Sequence, residues 1–570
     1  MSERAMNVLK RIIAREDKSK ARRCVQAAIA AFVLGEDGNI YLKKPEIYDG
    51  NNNKFSDRDD FGMYWGIPAM MHLYARFGDK LDEENKKAIS DILTDFYYTL
   101  GWVAINGDGR CERMYLSENH DSLVKNNMHL ITLYMPELVT KPLRGISFEE
   151  ASRLIERNVT ENLDSILKDG WLIEGGEPYN AVTIESIYNI MELAKNEELK
   201  EKAKKIIDLF WLFHAQETIN GVRGYARARV YPYWRDNASS WVSSLFGSYT
   251  GVHGVTEAGE IDYLVSFGYN IPEAVYDILS KREKKVPYTV KTRQRGGGYY
   301  ILEKHREEEE GMPDTPIYYL DNYAKIIKTT YVTKNYTVSG FSYPLRQPRL
   351  LIASQFLWEG ITWAEPKGLA VCAAVHENDG VFFDSYVTFA HKDRIIYARN
   401  KNAYAHIFDE NGVDIIGAYD KRYNYSMQIC ITGTDKEILK EYINENLIIF
   451  RCENSVFSAQ TDNGFEERDG KVIALSGKLI LTASSLLDES MEQFVKRVTS
   501  QKNSFGEDNI ISSDGTDEME FNFDSDSERI RLLNGEIPDR DNFYTKSPFV
   551  NATVETGIFN VETEQREGIK

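Results

Sequence analysis

The chain has 570 residues, with 69 Lys and Arg against 88 Asp and Glu, a formal net charge of −19 with histidine neutral. A hydrophobic fraction of 42% and an aromatic fraction of 12% supply sizeable cores and exclude general disorder, and 15 prolines exclude a collagenous or linker-dominated chain. The acidic balance excludes a nucleic-acid-wrapping surface, which needs clustered Lys and Arg, but is compatible with a local Arg pocket for a small anion.

Met1–Lys20 holds no apolar core of signal-peptide length and carries Glu3, Glu16 and Asp17. The apolar stretch Val25–Leu34 is too short to span a bilayer. Cys24, Cys111, Cys372, Cys430 and Cys452 form no pair at metal-ligand spacing, and their odd number speaks against a disulfide framework. A soluble, reduced, cytoplasmic protein of two or three domains is expected, with no membrane partner.

From the N-terminus, apolar residues recur at three- and four-residue steps over Lys20–Leu34, Phe61–Phe77, Glu83–Leu100, Glu118–Tyr134, Ser147–Leu167, Val182–Ala194 and Leu199–Gln216. Short links between them predict paired antiparallel helices. Near Ser280 the pattern changes. Lys281–Lys285 is a charge cluster, Gly296–Gly298 a flexible stretch, and Glu307–Glu310 an acidic run. Period-two, β-branched segments follow, among them Leu369–Val375, Arg394–Ala398, Met427–Thr432 and Lys478–Ala483, with turn signals such as Asn411-Gly412 between them. They predict a large antiparallel β domain, a sandwich, holding one helix over Ser490–Val498. Residues 507–541 carry 12 acids against three Arg and read as a solvated acidic edge, or as an interaction tail, while the alternation of Phe521 and Phe523 with polar residues is compatible with a strand in part of it.

Polar side chains concentrate in three places. In Tyr115–Asp121, Ser117 is placed to cap a helix with Glu118 in its first turn, which sets Asn119 and His120 at a helix mouth. Glu174–Asn180 uses Gly and Pro to deliver Glu177 and Tyr179 to the next helix start. Arg223–Asn237 interleaves Arg227, Arg229 and Arg235 with Tyr231, Tyr233 and Trp234. Aromatic rings beside Arg, Asn and His suit a sugar bearing a carboxylate, since rings stack on C–H faces and guanidinium pairs with the anion. His253 is placed to enter the same site; Tyr64, Trp65 and His72 fit an aromatic rim or, more simply, core. No P-loop, HExxH, paired CxxC, EF-hand or GxSxG pattern is present. No metal or cofactor is called for, although a His/Asp/Glu ion site built across helices would leave no spacing signature.

The Ser117-Glu118-Asn119-His120 motif, the Glu177–Thr183 phrase before a helix and the Gly224–Tyr233 stretch, in a helical half followed by a β half, resemble the (α/α)-toroid carbohydrate-active enzymes. The likeness is greatest to heparinase II/III-like and alginate-lyase-like polysaccharide lyases. It covers the whole chain in architecture and roughly residues 115–240 in motif. It implies a multidomain α+β protein: an (α/α) toroid over 1–285, a connector over 286–325 and an antiparallel β-sandwich over 326–570. It also implies β-elimination on a uronate-containing oligo- or polysaccharide. In such lyases an Asn, His or Arg neutralises the uronate carboxylate and a Tyr or His takes the C5 proton. The positions of matching type are Asn119, His120, Tyr233 and Arg235, with Glu118, Glu177, Tyr179, Arg229, Tyr231, Trp234 and His253 as substrate contacts. Tyr231 and Tyr179 are alternative bases. Many members are secreted; without a signal peptide here, an imported oligosaccharide is the expected substrate. A glycoside hydrolase would draw two carboxylates from Glu118, Asp121, Glu177 and Asp236, and a non-catalytic carbohydrate-binding protein would keep only the aromatic platforms. A homo-oligomer is compatible with all three. The three clusters are expected to converge at one end of the helical half, walled by Trp358, Trp363 and His376.

Overall fold

The apolar stripes of the first half become two layers of helix. The computed structural model describes residues 2–16, 21–42, 61–106, 113–114, 117–175, 179–219, 221–228, 230, 241–252, 259–299, 318–342, 357–365, 369–377, 382–383, 386–399, 404–408, 414–418, 427–433, 437–523 and 530–562. In chain order the helices are α1 (Glu3–Ala14), α2 (Ala21–Leu34), α3 (Asn39–Leu42), α4 (Phe61–Phe77), α5 (Glu83–Asn106), α6 (Glu118–Tyr134), α7 (Phe148–Lys168), α8 (Tyr179–Leu193), α9 (Glu197–Gln216), α10 (Trp241–Thr250), α11 (Glu273–Lys285) and, far along the chain, α12 (Met491–Ser500). Helices α2, α4, α6, α8 and α10 pack in sequence against one another, and α5, α7, α9 and α11 form a second series against them. The second series is amphipathic and capped: Ser147 Oγ accepts from Glu150 N at 3.3 Å, and Asn196 Oδ1 from Glu198 N at 3.0 Å.

The first series is different, because α8 is buried from Tyr179 to Met191 without a polar face. A helix enclosed on all sides must satisfy its polar side chains internally. Asn189 Nδ2 donates to Pro68 O at 2.8 Å, and Glu185 receives Arg22 at 2.6 Å and the Tyr263 hydroxyl at 2.7 Å. Burial outweighs these partners and pushes the Glu185 carboxyl up to about 7. The folded state therefore binds a proton that the unfolded chain, with an ordinary carboxyl, releases. Stability from this group should rise as pH falls from about 7 toward the ordinary carboxylate range, by about 1.4 kcal/mol per pH unit. Urea titrations across that window should show a shallower pH slope for Glu185→Gln than for the native chain.

The second half is antiparallel sheet. The largest sheet runs, by strand order, Phe465–Arg468, Lys471–Ala474, Met427–Thr432, Leu369–Glu377, Gly360–Glu365, Tyr336–Ser342, Tyr318–Val332, Tyr288–Tyr299, Thr545–Lys546, Val550–Ala552 and Asn560–Val561. Its inner face (Val338, Ile361, Trp363, Ile429) shares a core with Ile395, Tyr397, Phe457 and Leu481 of a six-stranded sheet. The acidic segment is not a tail. Three of its stretches (Asn509–Ser513, Glu518–Asn522 and Ile530–Leu533) form, with Lys502–Phe505, a four-stranded sheet that buries Ile510, Met519 and Phe521. Arg394 and Arg531, both fully buried, reach Asp514 and the Thr388 carbonyl.

Two boundaries differ from expectation. Most of the described part of the connector expected over 286–325 belongs to the long strand pair Tyr288–Tyr299 and Tyr318–Val332. The glycine run hid this, because Gly296–Gly298 lie inside the ladder opposite Asp321–Tyr319 and show no alternation to read. Nor is 285 a seam between separate cores. Tyr288, Val290, Val332, Tyr544, Phe549 and Val550 are part of the helical core cluster. Among the described residues no helix is long and apolar enough to cross a membrane.

One close approach fixes the loop after α9 against the sheet. A Cβ on Gly224 would lie 2.3 Å from Thr337 Oγ1 and 2.7 Å from its Cγ2, while the Gly224 carbonyl accepts from that hydroxyl at 2.8 Å. Gly224→Ala should cost about 1–3 kcal/mol in chemical denaturation, the usual range for overpacking a closed site.

Candidate functional site

The first polar cluster opens α6. Ser117 occupies the N-cap, yet its hydroxyl makes no capping bond to the helix; it accepts instead from Asn119 Nδ2 at 3.0 Å. The cap comes from another segment: Glu174 Oε2 accepts from Asn119 N at 3.0 Å and also from Asn119 Nδ2. Glu118 returns the exchange. Its Oε2 accepts from Ile173 N and Glu174 N, both at 2.8 Å, and its Oε1 from Arg295 Nη2 at 2.7 Å. Burial raises the Glu118 carboxyl, the Arg295 charge opposes this, and the neighbouring Glu174 adds to it. Arg295 is itself held by backbone pairing, since Trp171 N donates to Arg293 O at 2.8 Å and Arg295 N to Trp171 O at 3.1 Å. The start of α6, the 171–175 segment and the Tyr288–Tyr299 strand are thus clamped as one unit.

Glu118 is therefore no free substrate contact: three donors occupy its carboxylate. Asn119 is likewise turned inward, fully buried, with both amide hydrogens committed and its Oδ1 unpartnered. The donor role expected of its amide is not available in this arrangement, because rotating the amide would set oxygen against the Glu174 carboxylate. Asp121 is also engaged, paired with Lys125 at 2.8 Å.

His120 faces the other way. It is half-buried, with its ring 5.0 Å from Tyr64 and 5.0 Å from Trp65, and Trp65 lies 6.2 Å from Tyr179. Residues of α4, α6 and α8 thus gather an imidazole and three aromatic rings at one place. Burial, with the Asp121 charge added, holds the Tyr64 phenol well above its usual value, which keeps it protonated.

The three clusters meet in their described parts. Asn180 Nδ2 donates to Gly175 O at 3.2 Å and Arg223 Nη1 to the same oxygen at 3.4 Å. Arg227–Ala228 pairs with Leu357–Trp358, and the Arg227 guanidinium lies 4.5 Å from the Trp358 ring centroid. Trp358 walls this region as expected. Trp363 does not, being buried with Nε1 donating to Ser484 O at 2.6 Å. His72 is core, stacked 4.0 Å from Phe267. Glu177, Arg229, Tyr231, Tyr233, Trp234, Arg235, Asp236 and His253 lie outside the described residues, as does the side chain of His376.

Arg295 was not singled out in the sequence, where it is one charge on an alternating strand; only the adjacent glycine run drew attention to it. Chemically, the arrangement offers ring faces, one half-open imidazole and nearby guanidinium groups, a set suited to a flat polar ligand with negative charge. Among the described residues no cluster of His, Cys, Asp and Glu could hold a metal ion. No protein-family model matches the chain, and no curated protein matches it.

Proposed function

We propose that the chain is a carbohydrate-active enzyme, a lyase that cleaves uronate-containing oligo- or polysaccharide by β-elimination. The observation that carries this is the gathering of the half-buried His120 ring with Tyr64, Trp65 and Tyr179 where α4, α6 and α8 meet. Two helix series packed against each other, and two antiparallel sheets that share a core, support the wider likeness to a toroid followed by a sandwich.

In the proposed step a base takes the C5 proton, its electron pair forms the C4=C5 bond, the C4–O bond breaks, and the leaving oxygen takes a proton from a general acid. The C5 proton is too weakly acidic beside an ionised carboxylate, so a cation or donor must hold the developing charge. With the Asn119 amide committed, neutralisation is assigned to His120 and Arg235, and Asn119 becomes a positioning residue. Tyr233 is assigned the proton transfer, with Tyr231 and Tyr179 as alternatives. Tyr64, held protonated by burial, is unsuited to act as the base.

Incubation with uronate-bearing oligosaccharides tests this directly. Elimination yields a conjugated unsaturated uronate, followed by its ultraviolet absorbance. New reducing ends without that absorbance would mean hydrolysis, and binding without either product would mean a carbohydrate-binding protein.

A further inference from the structure

Behind the Glu174–Asn119 contact, a pocket lies between the helices and the sheet, walled by Trp171, Phe213 and Tyr225. Three polar side chains line it with atoms that find no protein partner. His214 is 2% exposed with neither Nδ1 nor Nε2 bonded; Asn180 Oδ1 and Gln294 Oε1 are also unpaired, on residues 2% and 4% exposed. Buried polar atoms are nearly always bonded to something, because an orphan costs its full desolvation. The Asn180 amide cannot turn to help, since its Nδ2 is donated to Gly175 O.

The inventory defines the occupant. A neutral imidazole presents one donor and one acceptor, so these unpaired atoms offer one donor and three acceptors, beside Lys328, Glu217 and Glu174, which also line the pocket. The imidazole is neutral here: burial first, then the charges of Arg223 and Lys328, hold it well below its usual value. Those same charges disfavour a cation. An anion would meet the oxygens of Asn180 and Gln294 with no hydrogen to give. Lys328 is meanwhile bound to Glu217 at 2.6 Å. The free interior is about 30 Å³, room for two water-sized groups at roughly 10–15 Å³ each.

We propose that this pocket is a hydroxyl subsite, taking two neutral hydroxylic groups hydrogen-bonded to His214, Asn180 and Gln294. The groups come from two ordered waters or from hydroxyls of a bound sugar; only the second source rests on the lyase function proposed above. Two waters can donate up to four hydrogens and two sugar hydroxyls can donate two, and either pair can accept the one that His214 offers.

Crystals of the full chain, grown without and then soaked with D-glucuronate, test this. Two peaks within hydrogen-bonding distance of His214, Asn180 and Gln294 are expected without sugar. If the peaks persist after soaking, water is the resident; if sugar oxygens replace them, the sugar is. An empty pocket, a halide identified by anomalous scattering, or His214 nitrogens bonded to protein groups would overturn the proposal. His214→Phe keeps a ring against Phe246 (4.7 Å between centroids in the native chain) and should lose both peaks; their persistence would also overturn it. The elimination assay is separate. No product with both peaks present defeats the lyase and leaves the subsite standing; product with an empty pocket does the reverse.

Discussion

Glu118→Ala is expected to cost the folded chain about 3–5 kcal/mol, the range for removing one partner of a buried ion pair. The loss has two parts. Arg295, almost fully buried, would be left charged, with a long 3.4 Å contact to Ser165 Oγ as its guanidinium's remaining hydrogen bond among the described residues. The N–H groups of Ile173 and Glu174 would lose their acceptor. Two further variants separate these parts. Glu118→Gln keeps one acceptor oxygen and should recover part of the backbone bonding. Glu118→Met with Arg295→Met removes the stranded charge, yet leaves both N–H groups unpaired at about 1–3 kcal/mol each, so its rescue should be incomplete. Urea unfolding followed by tryptophan fluorescence measures all three. A loss below about 1 kcal/mol for Glu118→Ala, the level of a surface pair, would show that the clamp does not hold the two halves together.

His120→Ala should lower kcat on the order of 10²–10³-fold, the scale of one preorganised transition-state donor, with a smaller change in unfolding midpoint than Asn119→Ala, because His120 is only partly buried and Asn119 fully. Asn119→Ala should lower turnover too, but with a parallel loss of stability, since it removes a bond that ties Glu174 to α6. The contrast separates a catalytic group from a positioning one. Tyr233→Phe should abolish turnover while sparing binding, because the stacking ring remains. Arg235→Ala should raise KM as well as lower kcat, because its carboxylate contact exists already in the ground state. A fully active His120→Ala enzyme would end the assignment, and an active Tyr233→Phe enzyme with a dead Tyr231→Phe would transfer the proton to Tyr231.

What was legible in the sequence followed the strength of local signals. Phe61–Phe77 and Glu118–Tyr134 appear with their expected limits, and α12 lies within two residues of its expected span, because period and breakers agree there. Helix α11 was missed because its charged end, Lys281–Lys285, read as a boundary rather than as cations in a last turn. Helix α10 is only ten residues long and follows the polar third cluster. At the candidate site, side-chain density singled out the segment, but density cannot show which way a group faces. Glu118 and Asn119 are adjacent to His120, yet their partners lie 177 and 55 residues away, at Arg295 and Glu174. Long-range partners of this kind leave no periodicity, so which polar side chains are tied to the fold cannot be read from the sequence.

The last described strands also bear on how the chain is made. Thr545 pairs with Thr292, 253 residues earlier, while the Tyr544 hydroxyl donates to Ile166 O and Glu555 N to Lys168 O at 2.7 Å. The helices are thus finished on the ribosome long before the segment that covers them. At roughly 5–20 residues per second, that wait is roughly 10–50 s. Throughout it, the Tyr288–Tyr299 strand has one flank without its final neighbour, and the apolar seat of Tyr544 and Phe559 against Phe213 is open. Nascent chains stalled before residue 544 should therefore be far more sensitive to protease and holdase chaperones than chains released at full length.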